Sequence, residues 1–230
     1  MKVPEGRTEV FPQERLRNRK EAGQKLVSQL QNYTGKNVVI LAIPRGGVVL
    51  GYEIAKALAA PLDIVVPRKI GAPGNPELAI GAIAEDGTVV LDEGLLQMFR
   101  ISNEYLEREK SAETAEIRRR TLAFRGGLPP LDLSGKVVIL VDDGLATGAT
   151  MKAAVASVRK RSASEIVIAV PVAPPDTVRE LSKLVDHVVC LIVYEPFMAI
   201  GQFYDDFTQV EDDEVVRLLR ISEKWREGKQ

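Results

Sequence analysis

Short runs of β-branched and aliphatic residues alternate along this chain with longer stretches whose apolar positions recur at helical spacing. The runs fall at residues 37–43, 62–66, 78–84, 88–91, 136–141, 165–172 and 187–193. Several are apolar at every position rather than at every second one, the pattern of strands covered on both faces. Helical stretches separate them at 48–60, 102–124, 149–161 and 176–184, and another is expected near 13–30. This β-then-α rhythm predicts an α/β fold built on a doubly wound, mostly parallel sheet. In such sheets ligands bind beyond the carboxyl ends of the strands, so chemistry is sought there.

Two segments break the rhythm. Residues 67–77 carry Gly71, Pro73, Gly74 and Pro76 and read as a mobile loop. Residues 102–124 read as one long charged helix, with Glu104, Glu107 and Glu109 early and Arg118, Arg119 and Arg120 late, an order that suits the helix dipole. This helix is a candidate dimer contact, so a homodimer is a candidate assembly. No repeat or linker stands out, and a single domain over residues 1–230 is expected. Its core would span about 37–193, with an N-terminal extension over 1–36 and a C-terminal hood or tail over about 194–230.

Composition narrows the field. The 31 basic and 32 acidic residues give a net charge of -1, so nothing pulls the chain generally toward nucleic acid or an anionic membrane. An anionic ligand must be held by a local site. Cys190 is the only cysteine, which excludes an internal disulfide and a multi-cysteine zinc site. It reads as a small buried hydrophobe within an apolar run. The first seven residues lack the apolar core of a secretory signal, and no stretch is apolar enough to span a membrane. A cytoplasmic protein is the expectation.

The most informative stretch follows the run at 136–141. Asp142 and Asp143 come at its end, then Gly144, Leu145, Ala146, Thr147, Gly148, Ala149 and Thr150, and a helix begins. Glycines and small residues let backbone N–H groups close around an anion, and the helix start adds partial positive charge. Thr147 and Thr150 can donate hydroxyl hydrogen bonds to the same anion. Two carboxylates beside a phosphate cradle make sense when they accept hydrogen bonds from vicinal sugar hydroxyls. The plainer alternative is an ordinary Asp-capped turn.

This segment resembles the PRPP-binding motif of the type I phosphoribosyltransferases, and in particular a bacterial branch of that family. The resemblance implies that Asp142 and Asp143 bind the ribose 2- and 3-hydroxyls and that Ala146 to Thr150 hold the 5-phosphate. It also identifies Arg45, Gly46 and Gly47, after the first apolar run, as a pyrophosphate loop, often with a non-proline cis peptide. Arg68 and Lys69 match the family's mobile loop, which closes over PRPP and brings cations onto the departing pyrophosphate. Magnesium is implied as the cofactor, carried mainly by substrate oxygens, with Asp142 and Asp143 contributing indirectly through ribose and water.

The implied reaction moves phosphoribose from PRPP to a nitrogenous acceptor, a nucleobase or related amine, and releases pyrophosphate. Asp142, Asp143, Arg68 and Lys69 would carry it, by positioning and electrostatic stabilisation rather than covalent catalysis. Family members that act on 6-oxopurines place an acid where Ala146 stands, so hypoxanthine and guanine are disfavoured here. Phe197, Phe203 and Tyr204 are candidate acceptor contacts through ring stacking. Their alternative is a satellite core that packs the tail at 211–225. A second function class stays open: a PRPP-sensing regulator without turnover that binds nucleic acid or a protein partner. The near-neutral charge disfavours the nucleic-acid version.

Overall fold

The structure, a computed structural model, describes residues 15–227. The start of the helix expected near 13–30, the reading of the first seven residues and the last three residues of the tail lie outside the described residues. In chain order come α1 (Arg19–Gln29), β1 (Val38–Ala42), α2 (Gly46–Leu58), β2 (Leu62–Ile64), β3 (Arg68–Ala72), β4 (Asn75–Ile83) and β5 (Val89–Leu91). They are followed by α3 (Glu93–Met98), α4 (Asn103–Arg125), β6 (Val137–Val141), α5 (Ala149–Lys160), β7 (Glu165–Ala173), α6 (Pro175–Leu181), β8 (His187–Val193) and α7 (Asp212–Glu227).

Five of the strands form a wholly parallel sheet in the order β2-β1-β6-β7-β8. Every residue of β1 and β6 is buried, as their unbroken apolar sequence requires. Side-chain alternation sorts those residues onto two faces. Val38, Ile40, Ile139 and Val141 join one core with Val48, Leu50 and Ile54 of α2. Val39, Leu41, Val138 and Leu140 join another with Met151, Ala154 and Val158 of α5. Each such side chain contributes about 1.5–3 kcal/mol through burial. The sheet is doubly wound. From the β1–β6 pair the chain leaves toward β2 through α2 on one face and toward β7 through α5 on the other. That divergence opens a crevice at the carboxyl ends of β1 and β6, the topological switch point of the sheet.

The terminal segments are built into the first core. Leu16 and Leu26 from the N-terminal side, and Phe203, Tyr204 and Val215 from the C-terminal side, belong to the same buried cluster as β1 and β6. Cys190 is half-buried rather than buried, because β8 is an edge strand; its partial burial pushes the thiol up to about 11.

The loop expected at 67–77 is instead a hairpin of β3 and β4, extended by β5 into a small antiparallel sheet. Pro73 and Gly74 make its turn, with Gly74 at φ 73°. The strand character is carried by Ile70 and Ala72, which are buried while Lys69 is exposed. The long helix α4 packs on β3 and α7, and Leu106, Ile117 and Phe124 are its buried apolar residues. Its last residue, Arg125, is buried and donates to Asp63 in β2 at 2.8 Å, to the Ile64 carbonyl at 2.7 Å and to Glu85 at 3.1 Å. Asp63 accepts a further bond from the Leu131 amide. Arg119 and Arg120 both pair with Glu116, so the basic run at the end of α4 is partly neutralised by its own helix.

Candidate active site

The parallel register pairs Ala42 with Val141, and the Ile43 amide donates to the Val141 carbonyl at 2.8 Å. The residues after β1 and after β6 are therefore side by side at the switch point. Gly46 lies against Asp143 and Gly47 against Asp142. A Cβ on Gly47 would meet the Val141 carbonyl at 2.7 Å, and one on Gly46 would run into the Asp143 carboxylate. Only glycine lets the two loops approach this closely. The Pro44-Arg45 peptide is cis.

Both helices that start at this crevice lack a side-chain cap. α2 begins after Arg45 and α5 after Gly148, neither with a capping side-chain bond. α1, α3 and α4 are capped by Asn18, Asp92 and Ser102, while α6, which starts after Pro174, also lacks a side-chain cap. Uncapped first-turn N–H groups are donors available to an anion. Gly148, at φ 71°, takes a left-handed conformation that lets the chain turn straight into α5. The loop before it is pinned from below: Leu145 is buried, its amide bonds the Val172 carbonyl at 2.9 Å, and Thr177 donates to the Ala146 carbonyl at 2.6 Å. Ala146 and Thr147 remain exposed above it.

Asp142 and Asp143 both keep partial access to solvent at the crevice. Asp142 accepts from the Asp143 amide at 2.8 Å. Burial on its inner side, then the charge of Asp143, holds the Asp142 carboxyl well above the usual carboxylate range. Asp143 accepts from Arg19 at 2.7 Å, and the Tyr204 hydroxyl donates to its carbonyl at 2.7 Å. A strand end with paired acids, the turn before α5 and a second glycine loop are thus brought together at the switch point of the sheet.

The family model for the phosphoribosyl transferase domain matches residues 13–208. The chain belongs to that family. Relatives from two Mycobacterium tuberculosis strains, CDC 1551 / Oshkosh and H37Rv, are each 44% identical over 202 residues and carry provisional names as phosphoribosyl transferases. The match covers 88% of this chain but 46% of those relatives, so the chain spans about half their length. A crystal structure of a Thermus thermophilus protein shares 41% identity over 89% of this chain and 97% of its own, with a TM-score of 0.77.

In this phosphoribosyl transferase fold, the residues singled out from sequence divide into two groups. Arg45, Gly46, Gly47, Asp142, Asp143 and the turn from Ala146 to Thr150 follow the carboxyl ends of β1 and β6, whereas Gly144 and Leu145, expected among the PRPP contacts, are buried, with the Leu145 amide bonded to the Val172 carbonyl. Arg68 and Lys69 lie on the hairpin instead. Each of the three cations is held by a carboxylate: Arg45 by Asp212 at 3.4 Å, Arg68 by Glu113 at 2.7 Å and Lys69 by Glu77 at 2.6 Å.

Phe203 and Tyr204 are core residues, 0% and 2% exposed, which corrects their reading as acceptor contacts. Their rings are covered: Phe203 packs on Tyr194 and Phe197, and Tyr204 packs on Phe207 at 4.9 Å. Phe197 is half-buried. The described residues contain no group of three or more His, Cys, Asp or Glu side chains able to hold a metal, and none of their helices is long and apolar enough to cross a membrane.

Arg19, which meets Asp143, is a residue that the sequence reading did not single out. It falls among Arg17, Asn18 and Lys20, inside the helix expected near 13–30. Its partner is 124 residues away. No local pattern announces such a pairing.

Proposed function

We propose that this protein is a phosphoribosyltransferase that transfers 5-phosphoribose from PRPP to a nitrogenous acceptor, a nucleobase or related amine, and releases pyrophosphate. One observation carries the reading: the register of β1 against β6 brings the twin carboxylates Asp142 and Asp143 between two uncapped helix starts. In this assignment Asp142 and Asp143 accept hydrogen bonds from the ribose 2- and 3-hydroxyls. The backbone from Ala146 to Ala149 and the hydroxyls of Thr147 and Thr150 hold the 5-phosphate. Gly46, Gly47 and Arg45 face the pyrophosphate, and Arg68 and Lys69 join them from the hairpin.

Bond breaking leaves a cationic sugar and a growing negative charge on pyrophosphate. The two carboxylates face the first and the three cations the second, so the site works by positioning and electrostatics. Magnesium would bind mainly through pyrophosphate oxygens and water, a mode that needs no three-carboxylate protein cage. Phe197 remains the candidate contact for the acceptor. A cytoplasmic setting belongs to the same proposal, as does a homodimer contact through α4, whose Leu122 is 65% exposed.

The test is calorimetry with PRPP and magnesium, followed by pyrophosphate release against a panel of bases and amines. Tight PRPP binding and acceptor-dependent release are expected. Asp143→Asn should weaken PRPP binding by roughly 10-fold or more, the value of a hydrogen bond to a charged group. Binding without release from any acceptor would point to the sensor alternative. No binding at all would end the proposal.

A further inference from the structure

Arg19 is the first residue of α1, and its guanidinium is held on three sides. Its Nε donates to Asp143 Oδ2 at 2.7 Å, its Nη1 donates to the Thr208 carbonyl at 2.6 Å, and its plane lies 3.9 Å over the Phe207 ring. The Arg19 and Asp143 side chains are 11% and 13% exposed, so solvent screens the contact little. Asp143 is itself confined by Gly46 on one side and by the Tyr204 hydroxyl at its main chain. Tyr204 in turn packs on Phe207. The N-terminal helix and the C-terminal segment therefore converge on a single carboxylate at the crevice.

We propose that Arg19 is a positioning residue for the ribose site: braced by Phe207 and Thr208, it fixes Asp143 in the orientation that receives the sugar hydroxyl. The inference rests on the phosphoribosyl-transfer reading. Its physical content is electrostatic as well as geometric. Two adjacent carboxylates repel, and the pair relieves that repulsion by taking up a proton. A protonated acid presents a donor where the sugar needs an acceptor. The cation of Arg19 opposes that uptake and draws the Asp142 carboxyl downward, against burial and the charge of Asp143. Among the described residues, the Tyr204 hydroxyl also faces the pair, and the Asp206 carboxylate faces Arg19 from its far side. Both come from the C-terminal segment, and neither supplies a positive charge.

The rival role is a staple that merely ties α1 to the C-terminal segment. Calorimetry of PRPP with magnesium, from about pH 5 to 9, separates the two with Arg19→Gln and Arg19→Lys. A positioning role predicts a loss of affinity of roughly 10- to 100-fold in Arg19→Gln at neutral pH. It also predicts an acid limb of binding moved to higher pH, with partial restoration in Arg19→Lys. A staple predicts a lower melting temperature with affinity and pH profile unchanged, and that result overturns the inference. Should Arg19→Gln fail to fold, Phe207→Leu removes the brace and keeps the charge. It should give a smaller loss and an acid limb that stays near its wild-type position, whereas unchanged affinity again overturns the inference. Failure of the wild-type protein to bind PRPP would sink the underlying reading instead, a distinguishable outcome.

Discussion

The site has a backbone half and a side-chain half, and they are prepared differently. The backbone half consists of the starts of α2 and α5 with the turn before each. It is fixed by core contacts: Leu145 is buried, Thr177 holds the Ala146 carbonyl, and the glycine loop presses on Asp142 and Asp143. The side-chain half consists of Arg45, Arg68 and Lys69, each paired with a carboxylate drawn from α7, α4 or β4. Donors built into the backbone need no rearrangement to meet an anion. The cations must exchange one oxygen partner for another. The difference teaches that, on the proposed assignment, the ribose-phosphate end of a ligand would meet a ready cradle, whereas the pyrophosphate end would meet the prepared start of α2 together with cations already in use.

The strongest blow to this arrangement falls where the two loops touch. Gly46→Ala places a methyl group on the Asp143 carboxylate and close to the Arg19 guanidinium, so one of the three must move. Forcing a carbon into such a contact costs about 1–3 kcal/mol of stability. Binding should suffer more, because the displaced carboxylate is the one assigned to the sugar. PRPP and ribose 5-phosphate should both lose more than about 100-fold in affinity, the sum of a lost charged hydrogen bond and a shifted cradle. Retained ribose 5-phosphate binding by calorimetry would show that the backbone half tolerates what the close approach forbids.

A smaller effect, opposite in sign for stability, is expected at Asp142. Its carboxyl is held well above the usual range by burial and by Asp143. The folded state thus holds that proton more tightly than the unfolded chain. The group contributes most stability below the ordinary carboxylate range of roughly pH 4, and that contribution is lost as pH rises toward the raised folded value. Asp142→Asn removes the titration. It should melt higher than the wild type at neutral pH and converge with it as pH falls, while binding PRPP more weakly. A lower melting temperature at neutral pH would refute this account of the crevice.

How much of this could be read from the sequence follows from the range of each interaction. β1 and β6 were legible because strands buried on both faces are apolar throughout, and Asp142 to Thr150 because a phosphate turn is written in consecutive residues. β3 was not, since Gly71, Pro73, Gly74 and Pro76 read as a loop, and the burial of Ile70 and Ala72 depends on pairing with β4. The six-residue α3 is too short to show a period, although Asp92 signals its cap. Asp63 was a readable clue left unused: an acid inside a buried strand demands a cation, and Arg125 supplies it. Phe203 and Tyr204 carry a ring pattern that suits either stacking or core, and only the packing of the C-terminal segment decides it. Arg19 lies at the far limit, where the partner is set by tertiary structure alone.

The least effect, and the finest probe of the two halves, concerns Arg68. Its Nε meets Glu113 of α4 at 2.7 Å, with the two side chains 32% and 20% exposed. A pair this accessible contributes at most about 1 kcal/mol. Glu113→Gln should therefore leave the fold nearly unchanged and free the guanidinium to turn toward pyrophosphate. Affinity for pyrophosphate with magnesium should rise by no more than about fivefold, the equivalent of that energy. Ribose 5-phosphate, which in this assignment does not meet Arg68, should bind as before. A fall in pyrophosphate affinity would mean that Glu113 aims Arg68 rather than occupying it, and the hairpin cation would then belong with the prepared half of the site.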